Sequence, residues 1–273
     1  MSFLTVDLEK CNKDGICALK CPLGLIQIAE DVPFPVQDAE DFCLKCGHCV
    51  CACPTEALSL DFLTPGQCLP VDSSLNLTQE HVEYFLRSRR SIRTFEDKDV
   101  DKDKIEKAIR IASFAPTGSN RQAVKWLVIY DRNKVQKIAS MTIDWTMHRM
   151  KTEPAFADDP VAKLLINDWK NGKDDICRHA PHLIFCYDDE AIGSASANCH
   201  TALSYLELAL PSFNIGSCWG GWVTYAANAW PALIEELDIP KGQQIFGALM
   251  VGYPKFKYYR IPPRNEPEII FRD

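Results

Sequence analysis

Two domains of unlike kind are predicted by the sequence: a short cysteine-rich one over residues 1–62, and a larger one over 78–273 in which helices alternate with strands. The second reads as an α+β or α/β fold class, and residues 63–77 read as a linker. Three observations carry this division. Nine of the thirteen cysteines fall between Cys11 and Cys68, and only Cys177, Cys186, Cys199 and Cys218 follow. The stretch LTPGQCLPVDSSLN, residues 63–76, is rich in Pro, Gly and Ser and has no hydrophobic period, as linkers do. Beyond it, apolar residues recur at helical spacing in some segments and run continuously, as in buried strands, in others.

In the first domain the apolar pieces (GLIQIAE, ALSLDF) are short and broken by Cys, Pro and Gly, too few to build an ordinary core, so a metal must stand in for it. In the second, Thr78 precedes a helix in which Val82, Phe85 and Leu86 share a face, and Asp101 precedes another whose inner face is Ile105, Ala108, Ile109 and Ala112. WLVIY (126–130), HLIFCY (182–187) and IFGALMVGY (245–253) read as strands. A helix over about 195–210 carries Cys199, Ala202, Leu203, Leu206, Ala209 and Leu210 on one stripe. Residues 141–176 hold Met141, Trp145, Met147, Met150, Phe156 and Trp169 among charges with no clear period, either a helical excursion over a site or irregular surface. No internal repeat of 20 to 50 residues and no low-complexity tract stands out.

With 273 residues and 47% hydrophobic content, the chain has material for a substantial core. Its longest apolar runs fall short of the roughly 20 residues needed to span a bilayer, and the start MSFLTVDLEKC lacks the basic and apolar regions of a secretion signal. A cytoplasmic location with no membrane partner is the expectation, and there the many cysteines point to metal ligation rather than disulfides. Residues 1–62 hold ten acids against four lysines, a net −6 of the chain's −7. Such a surface repels nucleic acid and suits a basic redox protein, or is simply a solvated face.

CLKCGHCVCACP places Cys43, Cys46, Cys49 and Cys53 in the full C-x2-C-x2-C-x3-C-P spacing. Three thiolates so close suit one iron–sulfur cluster, while the cysteine before proline reaches the other cluster of a pair; zinc usually takes two separated C-x2-C pairs. Upstream, KCNKDGICALKCP repeats the pattern with Asp14 where a cysteine belongs. Crossed ligation assigns Cys43, Cys46, Cys49 and Cys21 to a 4Fe-4S cluster and leaves Cys11, Cys17 and Cys53 for the other. This second cluster is 4Fe-4S if Asp14, or a thiolate such as Cys51 or Cys68, supplies the fourth ligand, and 3Fe-4S if none does. Residues 1–62 resemble the bacterial two-cluster ferredoxins.

RSRRSIRTF gathers Arg89, Arg90, Ser91 and Arg93 at a helix end, where cations and a hydroxyl can converge on a phosphate, although basic residues there also offset the helix dipole. In APTGSNRQAVKW a turn presents Thr117, Ser119, Asn120 and Gln122, amides and hydroxyls able to read a heterocycle edge. IGSCWGGW (215–222) offers glycines for close backbone approach, and the final VGYP is followed by arginines. In this order, residues 78–273 resemble the nitroreductase family of FMN enzymes, with Ala123 departing from the family's usual proline. The resemblance implies a three-layer domain that binds FMN. It puts Arg89, Ser91, Arg93 and, beside them, Arg90 on phosphate, ribityl and ring, and Asn120 with Gln122 near the isoalloxazine edge. It puts the 215–222 loop past flavin N5, with a Gly220 or Gly221 N–H as donor, Cys218 and Trp219 beside the ring or simply packed in the core, and Arg260 and Arg264 on phosphate. For Lys255 and Lys257 a solvated basic tail is the competing account. It also implies a homodimer, NAD(P)H as the usual donor, and nitroaromatic, quinone or enone small-molecule acceptors.

No dinucleotide fingerprint, P-loop, zincin or nucleophile-elbow motif occurs, and the six histidines form no ligand spacing. The combined expectation is an iron–sulfur flavoprotein oxidoreductase whose clusters feed FMN, with no side-chain acid or base required. The alternative is an electron relay serving a protein partner through the acidic face.

Overall fold

The computed structural model describes residues 2–272, which divide into two compact units, 2–77 together with 119–121, and 78–118 together with 122–272. In the first unit β1 (Leu4–Val6), α1 (Ile16–Leu19), β2 (Ile26–Ala29), β3 (Val32–Pro35), α2 (Ala39–Phe42), α3 (His48–Cys51) and β4 (Leu58–Leu60) follow in order. β1 pairs antiparallel with β4, and β2 with β3. The buried apolar core is small: Leu4, Ile26, Val50, Leu58 and Leu60 with Cys17 and Cys49.

An internal repeat, not recognised from composition, organises this unit. Gly15 (φ 68°) precedes α1 as Gly47 (φ 71°) precedes α3, thirty-two residues on. Lys13 and Lys45 share left-handed backbone at the same offset, as do Gly24 and Glu56. The Leu25 N–H donates to Cys21 Sγ at 3.2 Å, and its counterpart, the Ala57 N–H, donates to Cys53 Sγ at 3.3 Å. The expectation of no repeat is therefore corrected. The two copies share backbone conformation and cysteines but few other side chains, so identity counting misses them.

The second unit contains α4 (Gln79–Ser88), α5 (Lys102–Ala112), β5 (Lys125–Ile129), α6 (Arg132–Thr152), α7 (Pro160–Lys170), β6 (His182–Asp189), α8 (Ala195–Ala209), β7 (Gly216–Trp219), α9 (Gly221–Ala229), α10 (Pro231–Leu237) and β8 (Gln243–Gly252). The sheet order is β5-β6-β8-β7, antiparallel throughout. Alternating helices and strands had also admitted an α/β parallel sheet; the observed class is α+β, because β5 and β6 run antiparallel even though α6 and α7 lie between them. Successive residues of β6 enter opposite cores. Leu183 and Phe185 pack with α6, α7, α9 and α10, whereas Ile184 and Cys186 pack with α5 and α8. Both sheet faces are covered, which is why β6 reads as one unbroken apolar run.

Thr78 caps α4 by accepting the His81 N–H at 3.2 Å. Asp101 precedes α5 as expected, but its carboxylate pairs with Lys104 at 3.0 Å rather than capping the helix. The aperiodic stretch resolves into the second half of α6 and all of α7, with Trp145 and Leu165 in the core. The stripe Val135, Ile138, Ala139, Thr142, Ile143, Thr146 is helical, but two of its members are threonines. Their hydroxyls donate to the carbonyls of Ile138 and Thr142 at 2.9 and 2.8 Å, which removes the cost of burying them. Among the described residues no helix is long and apolar enough to cross a membrane.

Candidate functional site

A cleft of about 560 Å³ opens in the second unit, lined by the end of α4, the segment before α5, α8, the start of β7 and the chain after β8. Its cations are Arg89, Arg90, Lys98 and Lys257, and its apolar walls include Ile92, Ile215 and Pro254. The Arg89 guanidinium lies 2.9 Å from Glu207 of α8, whose other oxygen accepts the Trp219 indole N–H at 3.3 Å. Arg90 donates through Nη1 to the Arg89 carbonyl at 2.7 Å, while its Nε is buried with no partner. An orphaned buried guanidinium N–H in a cleft with three further cations, of which Arg89 is paired with Glu207, suits an anion with several acceptor oxygens.

The Ile92 N–H donates to Ser217 O at 2.8 Å, which ties the arginine-rich segment to β7. Gly216 makes this possible, since a Cβ there would come within 2.4 Å of Ile92 Cγ1. Next along β7, burial pushes the Cys218 thiol up, opposed by the nearby positive charges of Arg93 and Arg178 and by the Ser91 hydroxyl. Ser91 and Arg93 thus lie close to Cys218 of β7, which Trp219 follows. Trp219 stacks on His200 with ring centroids 5.9 Å apart.

Of the two glycines expected to present an N–H, Gly220 is ruled out as a free donor because its N–H donates to Ala248 O at 2.9 Å. Gly221 opens α9, where the first N–H groups have no intrahelical acceptor, and a Cβ on it would meet nothing within 4 Å. The Gly118 N–H donates to Asn198 of α8 at 2.9 Å, and the Gln122 N–H to Thr117 Oγ1 at 3.0 Å. Gln122 and Thr117 line a smaller cavity with Trp126. Ser119–Arg121 group with the first unit, where Asn120 Nδ2 donates to the carbonyls of Leu44 and Lys45 at 3.0 and 3.1 Å.

Arg260 and Arg264 are exposed on the chain beyond β8 and do not line the cleft, whereas Lys257 does. Glu96, Lys98, Asn198 and Glu207 are charged or polar residues of this region that the sequence reading did not single out, and Lys257 is one that it left to a solvated tail. Only Lys257 carried a signal, its place in the basic run.

In the first unit one cavity is lined by Cys21, Cys43, Cys46 and Cys49, and another by Cys11, Asp14, Cys17 and Cys53. These are the two residue groups that the crossed reading of the sequence put together, and Cys51 and Cys68 line neither. Burial pushes Cys49 up to about 11, with Cys46 and Cys21 adding repulsion; it likewise raises Cys17, which faces Cys53 and Cys11. Burial works against the Cys53 thiolate as well, but hydrogen bonds from Thr55, Ala57 and Leu58 outweigh it and bring Cys53 below its ordinary value. One Asp14 oxygen accepts the Ile16 N–H at 3.0 Å. Among the described residues no three His, Cys, Asp or Glu side chains converge on a single metal-ion position. The thiolates of a cubane bind different irons and surround the cluster, so the two cavities fit such a group where a mononuclear ion would not.

An antiparallel sheet enclosed by helices, with a cationic, apolar-walled cleft along one edge, defines an α+β enzyme domain suited to an anionic, partly flat ligand. The chain belongs to the nitroreductase family, whose model matches residues 86–253, and is an oxidoreductase of that family. A protein of Archaeoglobus fulgidus named as an NADH dehydrogenase/NAD(P)H nitroreductase is 28% identical over 188 residues, 68% of this chain and 94% of its own. The solved nitroreductase with bound FMN from Desulfitobacterium hafniense DCB-2 has a TM-score of 0.57 at 18% identity, covering 72% of this chain and 100% of its own. A BluB-like flavoprotein from Clostridium difficile 630 has a TM-score of 0.54 at 22% identity, covering 68% and 94%. These two likenesses concern the fold.

Proposed function

We propose that the chain is an iron–sulfur flavoprotein reductase, in which a ferredoxin-type domain delivers electrons to FMN held in the cationic cleft, for reduction of nitroaromatic, quinone or enone acceptors. The observation that carries this reading is the coexistence, in one chain, of a nitroreductase-family domain with two cavities whose walls hold the two crossed cysteine sets. Clusters supply single electrons, and flavin converts them into the hydride equivalents that organic acceptors take.

The chain's own residues do the rest. Arg89, Arg90 and Lys257 grip the phosphate, and the buried Arg90 Nε finds its missing acceptor there. Glu207 holds Arg89 in place and orients Trp219 through its second oxygen. With FMN bound, the Gly221 N–H, which opens α9, would be the donor offered to the ring edge. In the first unit Asp14 completes the set of Cys11, Cys17 and Cys53 with the oxygen not engaged by Ile16. NAD(P)H is the second donor in this reading, and a homodimer is its working state.

Anaerobic purification followed by metal, sulfide and flavin counts tests the assignment. Roughly eight irons, eight sulfides and one FMN per chain are expected, with electrons passing from the reduced protein to at least one nitro, quinone or enone compound. Iron-free protein sinks the cluster half. Flavin-free protein sinks the cleft half, and a reduced protein that passes electrons to no small molecule favours a relay serving a protein partner.

A further inference from the structure

We propose that Cys51 and Cys68 form a redox-active dithiol, a reversible disulfide site separate from the eight proposed ligand positions, that closes by exchange with a small-molecule disulfide. The two sulfurs lie 3.6 Å apart and come from segments 17 residues apart in the chain. Cys51 ends α3, and Cys68 follows the 3-10 turn Pro65–Gln67. That turn is fixed by the Thr64 N–H donating to Gln67 Oε1 at 2.8 Å and the Cys68 N–H donating to Pro65 O at 3.0 Å. Leu63 seats the same segment at the start of α3, where a Cβ on Gly47 would come within 2.7 Å of Leu63 Cδ2. Ordered backbone on both sides therefore holds the thiols in contact. Neither lines a cysteine-rich cavity, and Cys51 is exposed with Cys68 half-buried behind it. An accessible sulfur with a second one poised against it is the arrangement that disulfide exchange requires.

The exchange balances in two steps. Cys51 attacks the incoming disulfide, a mixed disulfide forms on Cys51, and one small thiol leaves with a proton. Cys68 then attacks the Cys51 sulfur, the Cys51–Cys68 bond forms, and the second small thiol leaves. Two electrons and two protons pass from the pair to the incoming disulfide. The closed ring encloses residues 52–67, which include Cys53, the Ala57 N–H that donates to its sulfur, and β4. Closing it restricts local opening around the cavity of Cys11, Asp14, Cys17 and Cys53. The dithiol stands without the cluster assignment, and only this last coupling rests on it.

The test uses the full chain, purified anaerobically and incubated with glutathione disulfide, then denatured in iodoacetamide. No Lys or Arg lies between Cys46 and Leu86, but Glu56 separates the two cysteines, so cleavage after glutamate leaves two peptides joined only if the bond has formed. The joined pair is expected in oxidised wild type, absent after dithiothreitol, and replaced by a glutathione adduct on the remaining thiol in Cys51→Ser and Cys68→Ser. Iron release to a chelator is expected to be roughly tenfold slower in oxidised than in reduced wild type, with no such difference in either variant. The absence of the joined peptides under the most oxidising condition overturns the site, and so does loss of iron on Cys51→Ser, which would make Cys51 a ligand. Equal release rates in the two states overturn the coupling to the Cys53 cavity.

Discussion

Arg90 carries a buried Nε with no partner, and this single atom gives the cleft a testable preference for anions. A guanidinium in that state gains a charge-assisted hydrogen bond when a phosphate arrives, so Arg90→Ala should weaken FMN binding by about 2 kcal/mol, roughly thirtyfold in Kd. Flavin fluorescence quenching on titrating apoprotein measures it; unchanged affinity would remove Arg90 from the site. Asp14 stands at the offset position of Cys46, and a carboxylate is a harder ligand for iron than a thiolate. In the proposed cluster, the iron facing Asp14 should be the first lost on oxidation. Ferricyanide treatment followed by EPR is expected to show a three-iron signal in wild type that is largely abolished in Asp14→Cys, and equal signals would count against ligation by Asp14. The two cysteine sets stand out in the sequence because their spacing is local. Glu207 was not, because it meets Arg89 across 118 positions and nothing near Glu207 in the chain marks the pairing.

At the scale of elements, strands and amphipathic helices were legible from periodicity, whereas α6 was hidden by its two buried threonines and β7 by being only four residues long. The strand β6 also begins on a polar residue that no pattern explains, the fully buried His182. Its Nε2 accepts the Val100 N–H at 2.9 Å, which makes Nδ1 the donor to Tyr130 O at 2.9 Å. Burial holds this ring neutral and moves it below the ordinary histidine value of 6.5, with the Tyr130 hydrogen bond opposing. The unfolded chain therefore binds the proton first. The His182 contribution is full above pH 6.5 and declines as pH falls from 6.5 toward the folded-state value. Denaturant unfolding across that window should show wild-type stability rising with pH more steeply than that of His182→Gln, whose amide can still accept from Val100. Parallel pH curves would mean that another group sets the slope.

At the scale of the whole molecule, cysteine density divides the sequence near residue 62, whereas the first compact unit also takes in the stretch up to residue 77 and residues 119–121. The thirty-two-residue duplication shows in the sequence only as a second cysteine motif, because the two copies agree in backbone conformation and cysteine positions more than in their other side chains. A second property becomes clear only when the surface is considered. Helix α4 buries no residue although Val82, Phe85 and Leu86 share one face, and the chain after β8 exposes Phe256, Tyr258, Tyr259, Ile269, Ile270 and Phe271. So many exposed large apolar side chains on two segments, joined where Phe85, Phe256 and Tyr258 line one cleft, call for a cover. Phe85, Phe256 and Tyr258 also line the cationic cleft, so whatever covers them also walls the cleft. A second copy of this chain meets both demands, since a two-fold interface would pair α4 and the tail of one protomer with the same elements of its partner. Light scattering on the flavin-loaded protein is expected to give a dimer. The double substitution Val82→Glu, Leu86→Glu places charge on the exposed face of α4 without touching a core residue, and it should yield a monomer that loses FMN on gel filtration. A monomer that keeps its flavin would separate the cleft from the interface, and a wild-type monomer would leave the apolar face to a different partner.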